Sequence, residues 1–199
     1  PTIADGSTAM DVVTYSGDGT NGRDITVNHS TDLVWIKSRN QTDNHILADI
    51  VRGTDKIIFS HTNLAERSDS TVANSVTAFN SDGFTIGNNA NAAQTNQSGF
   101  TYVAWSWDGG TSTVSNTDGS ITSNVRANAS AGFSIVGYQG TGTAATIGHG
   151  LNAAPEFIIV KNRDTARPWS VFHQSITNMS SGYLNLNFSN AFVGSYTGV

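Results

Sequence analysis

The chain has 199 residues, of which 37% are apolar and only 13% are charged, and its formal net charge is −5. This length suffices for one large all-β domain or two small domains, and the scarcity of long straight-chain residues favours strands and turns over helices. The acidic balance argues against nucleic-acid binding, no apolar run approaches the roughly 20 residues that span a bilayer, and the lack of cysteine excludes disulfides and thiolate metal sites.

The first half of the chain reads as a succession of short strands separated by turn residues. VVTYSGDG, with its Gly-x-Gly turn, is followed by ITVNH, DLVWIKSRN, HILAD and KIIFS. Farther on, NSVTAFNSDGFTIG contains an Asp-Gly turn between two strand-like runs. Seven or eight short strands divided by turn signals are typical of a β-sandwich. We therefore predict an all-β fold with a first β-sandwich module over residues 1–110.

The stretch TYVAWSWD, residues 101–108, alternates with a period of two, as a strand with unlike faces does. One side carries Thr101, Val103, Trp105 and Trp107, and the other carries Tyr102, Ala104, Ser106 and Asp108. Trp105 and Trp107 share their side with Val103, and Trp35 lies in an apolar strand. The pattern therefore favours core packing of the tryptophans over a platform for stacking sugars. Tyr102, on the opposite side, is the better candidate for a surface contact.

The segment between the two halves is polar and composed of small residues. We predict a connector over residues 111–131, with one short strand around residues 120–125.

The second half repeats the first with a period of roughly 124 residues. IVGYQGTG, ATIGH and EFIIVKNRD correspond to VVTYSGDG, ITVNH and DLVWIKSRN, so that Lys161 matches Lys37. This period is far longer than that of a solenoid and indicates a duplicated domain. We predict a second, related β-sandwich module over residues 132–199. It has no counterpart of TYVAWSWD, so we expect it to be truncated or completed by other segments, either of a longer polypeptide, which we favour, or of another chain.

The sequence also resembles a known group of proteins. DLVWIKSRN, HILADIVRG, NSVTAFNSDGFTIG and YVAWSWDGG together resemble a module of virion structural proteins from marine tailed phages, notably cyanophages. TIGHGLNAAPEFIIVKNRD, with WSVFHQSI and YLNLN, is similar to the module that follows it in those proteins. The resemblance implies a tail-fibre or other virion-surface component with domains related to the concanavalin A-like sandwich. It implies no catalytic residues, and the truncated second module is the main departure from the pattern.

Carboxylates are not arranged for glycoside hydrolysis. Retaining glycosidases hold two carboxylates about 5 Å apart, and on a concanavalin A-like fold the usual spelling is Glu-x-Asp-x-x-Glu. This chain has only two glutamates, Glu66 and Glu156, which stand 90 positions apart. We therefore expect a protein that is not an enzyme and that has no cofactor.

Metal ligands are not clustered in the sequence either. Of the five histidines, His29 and His149 share one repeat position, and we interpret them as structural residues with a ring nitrogen that donates to a backbone carbonyl. SGDGTNGRD, residues 16–24, is rich in the oxygen ligands that calcium prefers, but Asp-Gly and Asn-Gly also build tight hairpins. The second copy lacks these acids, which excludes a calcium site common to both modules and leaves one in the first module open.

Both repeated strands end in Lys-x-Arg, as Lys37 with Arg39 and as Lys161 with Arg163. The spacing places the two cations of each pair on one face, where they could bind an anionic glycan or an acidic partner. The simpler interpretation is a pair of solvated cations that protect a strand end. The weak candidates for ligand binding are therefore Tyr102, Lys37, Arg39, Lys161 and Arg163.

These patterns predict a non-enzymatic, fibre-like structural protein at the virion surface, and hence extracellular, that attaches to host-surface glycan. Its expected partners are other virion subunits and copies of itself. A trimer is favoured, because trimerisation would cover open edges. Nucleic acid and membrane insertion are not expected. Two alternatives stay open: a capsid decoration or cement protein without a ligand, and a secreted carbohydrate-binding module or glycoside hydrolase of a marine bacterium.

Overall fold

The computed structural model describes residues 5–70, 72–88, 94–176 and 182–194. Within these ranges the chain has one short 3-10 helix, Gly6–Thr8, and otherwise only strands and loops, so the predicted all-β class is confirmed. No helix in these ranges has the length and hydropathy required to cross a bilayer. The strands are β1 (Met10–Ser16), β2 (Arg23–Thr26), β3 (Leu33–Ser38), β4 (Ile46–Asp49), β5 (Ile58–Phe59), β6 (Val76–Asn80), β7 (Gly83–Ile86), β8 (Thr101–Trp107), β9 (Thr113–Asn116), β10 (Ser123–Asn128), β11 (Phe133–Tyr138), β12 (Phe157–Val160), β13 (Ser170–His173), β14 (Gly182–Asn185) and β15 (Val193–Gly194).

The first module consists of two antiparallel sheets. One sheet has five strands in the order β1-β8-β3-β4-β5, and the other has three in the order β2-β7-β6. Alternate residues of each sheet meet in one apolar cluster, which includes Val34 and Ile36 from β3 and Phe84 and Ile86 from β7, all with no exposed surface. The strand alternation therefore builds a two-layer core, and the eight strands agree with the predicted sandwich.

The two faces of β8 are reversed relative to the prediction. Tyr102, Ala104 and Ser106 are fully buried between the sheets, and the tryptophans lie on the outer face of the five-stranded sheet. The Tyr102 hydroxyl accepts a hydrogen bond from the Gln97 N–H at 3.0 Å, and burial raises the pKa of Tyr102 to about 12. The predicted surface position of Tyr102 is thus wrong. The small side chains of Ala104 and Ser106 allow the second sheet to approach this face closely, which the bulky face would prevent.

The segment predicted as a connector is part of a sheet. Residues 111–131 contain β9 and β10, which pair with β11 in the order β11-β10-β9. The strand predicted around residues 120–125 corresponds to β10, which lies about three residues farther on, whereas β9 was not predicted. Both strands are largely polar and solvent-exposed, and only Ser123 and Val125 of β10 are buried. As a consequence β11, the counterpart of β1, lies in a different sheet from β12, the counterpart of β3.

The second module has an open apolar sheet. Strands β12-β13-β14-β15 form one antiparallel sheet in that order. Phe157, Ile158 and Ile159 of β12 remain 55%, 42% and 39% exposed. Successive residues of a strand point to opposite faces, so both faces of β12 are in contact with solvent.

Candidate functional site: an aromatic groove

Three tryptophans lie side by side on the outer face of the five-stranded sheet. Strands β3 and β8 are antiparallel neighbours, with Trp35 directly opposite Trp105 and Leu33 opposite Trp107. Residues that face each other across an antiparallel pair point to the same side, and so do residues two apart along one strand. The indole rings of Trp35 and Trp105 accordingly meet edge to face, with their centroids 6.0 Å apart. The pairing register therefore assembles a continuous aromatic surface.

A histidine closes one end of this surface. The indole N–H of Trp35 donates to Nδ1 of His45 over 3.3 Å, which leaves the ring hydrogen of neutral His45 on Nε2. The backbone N–H of His45 donates in turn to Nδ1 of His61, and the two imidazole rings lie 5.4 Å apart. Burial lowers the pKa of His45, with smaller contributions from the charges of His61 and Lys37. Burial followed by the charge of Lys37 lowers the pKa of His61. Both rings are therefore neutral at neutral pH.

Together, Trp35, His45, Trp105 and Trp107 line a groove with a volume of about 250 Å³. We call these four residues the aromatic groove. None of the four side chains is fully buried, so their rings are accessible to a ligand. The lining has apolar ring faces and a hydrogen-bond donor at His45, a combination that suits a ligand with both C–H faces and hydroxyl groups.

The second half of the chain supports the groove from two sides. Phe133 of β11 stacks on Trp107, with ring centroids 6.1 Å apart and an interplanar angle of 22°. Trp169 lies in a small apolar cluster with Leu47 and Ile58, against which Trp35 packs. The indole N–H of Trp169 reaches two backbone carbonyls of the first module, at 3.0 and 3.2 Å. The position of Trp35 and Trp107 therefore depends on both halves of the chain.

A family model described as a domain of unknown function (DUF7483) matches residues 5–198. The chain belongs to this family. No curated protein and no solved structure matches the sequence.

In the DUF7483 domain, the two predicted cations at the end of β3 make different contacts. Lys37 lies on the same face of β3 as Trp35, and its ammonium group donates to the carbonyls of Ser38 at 2.6 Å and Gln41 at 2.9 Å. Arg39 is exposed, and its backbone N–H donates to Thr101 at the edge of β8. Of the predicted cations, Lys37 is thus the one that influences the groove, through its charge near His45 and His61.

Lys161 and Arg163 join the two modules. The Lys161 ammonium donates to the carbonyl of Asn63 in the first module at 3.4 Å and to those of Asn162 and Arg167 in the second, and burial lowers its pKa. The Arg163 guanidinium forms two hydrogen bonds with the Glu66 carboxylate, at 2.9 and 2.8 Å. The same sequence motif therefore has different roles in the two copies.

Sequence reasoning considered the tryptophans as a sugar platform but favoured the core, and it missed His45. The signal that could have found the groove is the size difference between the two faces of β8. The face with Ala104 and Ser106 is small enough for a second sheet to pack closely on it. The indole rings of Trp105 and Trp107 on the other face would keep a second sheet at a distance.

The histidines at the repeat position also differ. Nδ1 of His29 lies 2.7 Å from the Ser30 carbonyl oxygen, so it donates there, and Nε2 accepts from the Ser106 hydroxyl at 3.1 Å. The predicted structural role is confirmed for His29. Nδ1 of His149 instead accepts from the Leu151 N–H at 3.2 Å, so the two histidines do not share one role. Across the described ranges, no group of three or more His, Asp or Glu is placed to hold a metal ion.

In the Gly-rich loop of the first copy, neighbouring groups of the protein provide the hydrogen bonds and the counter-charge of the Asp18 carboxylate. One carboxylate oxygen of Asp18 accepts hydrogen bonds from the backbone N–H and the hydroxyl of Thr20 and from the Asn96 side chain. The Arg23 guanidinium lies 3.4 Å from the other oxygen and supplies the positive charge that calcium would supply. The hydrogen bonds from Thr20, followed by Asn96 and the charge of Arg23, lower the pKa of Asp18 to about 2.

We expect the Asp18 carboxyl to titrate near pH 2 in a carbon-detected NMR experiment, well below an unperturbed aspartate. Because the folded pKa is depressed, the stabilisation that Asp18 provides is present above the unfolded pKa and is lost as pH falls through about 2. Thr20→Ala should raise the Asp18 midpoint, whereas Thr20→Ser should leave it nearly unchanged. A midpoint near 4 in the parent protein would contradict this description of the loop.

Proposed function

We propose that the chain is a non-enzymatic, fibre-like structural protein of the virion surface that attaches to host glycan through the aromatic groove. The observation that carries the proposal is the partly exposed row of Trp35, Trp105 and Trp107 beside His45. The virion setting follows from the resemblance to the modules of marine phage proteins. Host-surface polysaccharide is a ligand that such a protein would meet, and its C–H faces suit indole rings.

The groove chemistry favours binding over hydrolysis. The four lining residues include no carboxylate, and glycoside hydrolysis ordinarily uses two. A groove of this size holds one or two sugar rings with weak monovalent affinity. Repeated copies on a particle would raise the overall affinity by orders of magnitude. We therefore include a homo-oligomer, with a trimer favoured, in the proposal.

Trp105→Ala should weaken glycan binding about 2- to 10-fold, because one stacked ring contributes roughly 0.5–1.5 kcal/mol. The measurement is isothermal titration with laminarin-derived and alginate-derived oligosaccharides, after a glycan array has identified other ligands. The control is Val114→Ala, which removes an exposed apolar side chain from β9 and should leave binding unchanged. Equal binding by parent and Trp105→Ala would exclude the groove as the binding site. Release of reducing sugar from either polymer would instead favour the enzyme alternative.

A second candidate function, assembly without a ligand, is favoured by the exposed apolar side chains of Phe157, Ile158 and Ile159. A cement protein covers such a surface with a neighbouring subunit. Light scattering after size exclusion, combined with the glycan titration, separates the cases. An oligomer that binds glycan would support attachment, an oligomer without glycan affinity would support assembly, and a monomer would weaken both.

A further inference from the structure

Strand β12 presents an unpaired edge. Among the described residues it pairs only with β13, with Phe157 opposite His173 and Ile159 opposite Val171. The Gln174 N–H donates to the Glu156 carbonyl, so Glu156 turns its backbone groups toward β13. Because backbone groups alternate in direction along an antiparallel strand, Phe157 and Ile159 turn their N–H and C=O groups to the opposite side. These groups form a row of donors and acceptors along the free edge.

The internal repeat identifies what covers the same edge in the first module. Strand β12 corresponds to β3, since Lys161 matches Lys37 in the aligned phrases. In the first module, β8 pairs with β3 along this edge, and the N–H of Arg39 donates to the Thr101 carbonyl there. An added strand beside β12 would continue the β12-β13-β14 sheet in the same order in which β8 continues β3-β4-β5.

The strands β3 and β12 also differ in their surroundings. Val34 and Ile36 of β3 have no exposed surface because the second sheet packs on their face, whereas Ile158, the counterpart of Val34, is 42% exposed. Strand β3 lies between β8 and β4, and β12 has only β13 beside it among the described residues.

We propose that the free edge of β12 binds an extended antiparallel strand with the side-chain alternation of β8. In the first module, Trp107 and Trp105 stand opposite Leu33 and Trp35, and Ser106 and Ala104 stand opposite Val34 and Ile36. By the repeat, the bound strand places large side chains opposite Phe157 and Ile159 and small ones opposite Ile158 and Val160. Main-chain hydrogen bonds provide the affinity, and this large-small alternation provides the specificity.

The same alternation argues against a second copy of β12 as the occupant. A two-fold axis normal to the sheet places residues of the same face opposite one another. One such register sets Ile158 opposite itself and Phe157 opposite Ile159 of the second copy. Bulky side chains would then meet on both faces, whereas the β3–β8 pair joins large to small on its buried face.

The probe is a fluorescently labelled peptide of residues 99–110, which contains β8, added to the full chain. We expect saturable binding by fluorescence anisotropy and at least about 10-fold slower hydrogen exchange at the amides of Phe157 and Ile159. Ile159→Pro removes an N–H on the free edge and should abolish binding, whereas Ile159→Val should retain it.

Three results would overturn the proposal. The first is an absence of saturable binding to the parent and to Ile159→Val. The second is peptide-induced protection in β3, which would show that the peptide displaces the chain's own β8. The third is protection of β12 on self-association without peptide, which would identify a second copy as the occupant. None of these outcomes bears on glycan binding in the groove, so the two proposals fail separately.

Discussion

Replacing Arg52 by methionine should lower the free energy of unfolding by about 3–5 kcal/mol, because it leaves the buried Asp49 carboxylate without its counter-charge and Glu66 with Arg163 alone. The Arg52 side chain is only 6% exposed and lies 2.5 Å from Asp49 and 3.3 Å from Glu66. It also donates to the carbonyls of Leu47 and Lys56. The measurement is urea unfolding followed by tryptophan fluorescence, with midpoint and slope compared to the parent.

The matched control is Arg67→Met. Arg67 forms an ion pair with Asp69 at 2.9 Å, but both side chains are substantially exposed. Exposed pairs contribute about 0–1 kcal/mol, so this variant should stay within about 1 kcal/mol of the parent. A similar loss in both variants would show that burial of the Arg52 cluster is not the source of its stabilisation.

The cluster around Arg52 also predicts a pH dependence. Burial alone would raise the pKa of Glu66, but hydrogen bonds and charges from Arg163 and Arg52 together outweigh it and lower this pKa. The resulting stabilisation is present above the unfolded pKa of glutamate and is lost as pH falls through the lowered folded pKa. Stability of the parent should therefore decline on acidification, and Arg52→Met should decline less because part of this stabilisation is already absent.

Arg126→Met should cost a comparable 3–5 kcal/mol, about the loss expected when one partner of a buried ion pair is removed. The substitution would leave Asp32 without its ion-pair partner, and Asp32 has no exposed surface. One carboxylate oxygen of Asp32 lies 2.7 Å from the Arg126 guanidinium, in an ion pair rather than an aligned hydrogen bond. The other oxygen accepts the Gly109 N–H at 2.8 Å. Without Arg126, a buried carboxylate would keep only the Gly109 hydrogen bond.

Charge removal provides the control for this prediction. Asp32→Asn in the Arg126→Met background should recover part of the lost stability, since a neutral amide costs less to bury than a carboxylate. Burial raises the pKa of Asp32 despite the charge of Arg126. Because the folded pKa is raised, the cost of ionised Asp32 falls as pH is lowered through that pKa, so the Arg126→Met deficit should shrink in acid. A deficit that Asp32→Asn leaves unchanged at every pH would point to lost packing of Arg126 instead.

Both large effects arise where the two halves of the chain meet. Arg126 lies in β10 and Asp32 immediately before β3, and the Arg52 cluster contacts Arg163 through Glu66. The aromatic groove has the same dependence, through Phe133 and Trp169. Variants that loosen this contact should therefore weaken glycan binding as well as stability.

The sequence by itself determined the strand content and the duplicated phrase. Each of these depends on local patterns: period-two alternation in β8, turn residues between strands, and the match of Lys37 to Lys161. The polar strand β9 lacks such a pattern and was missed. A strand was predicted near β10, but its pairing with β9 and β11 in one sheet was not.

Only the tertiary structure decided which side of each strand is inside. The alternation in β8 is compatible with either face in the core, because both carry aromatic residues. The second sheet packs on the face with Ala104 and Ser106, since small side chains permit close approach of two layers. Because the second sheet packs on this face, Tyr102 is buried and Trp105 and Trp107 point outward. There they form one groove with Trp35 of β3 and with His45 of the loop that follows β3. Contacts between residues distant in sequence carry this information, and no local pattern contains it.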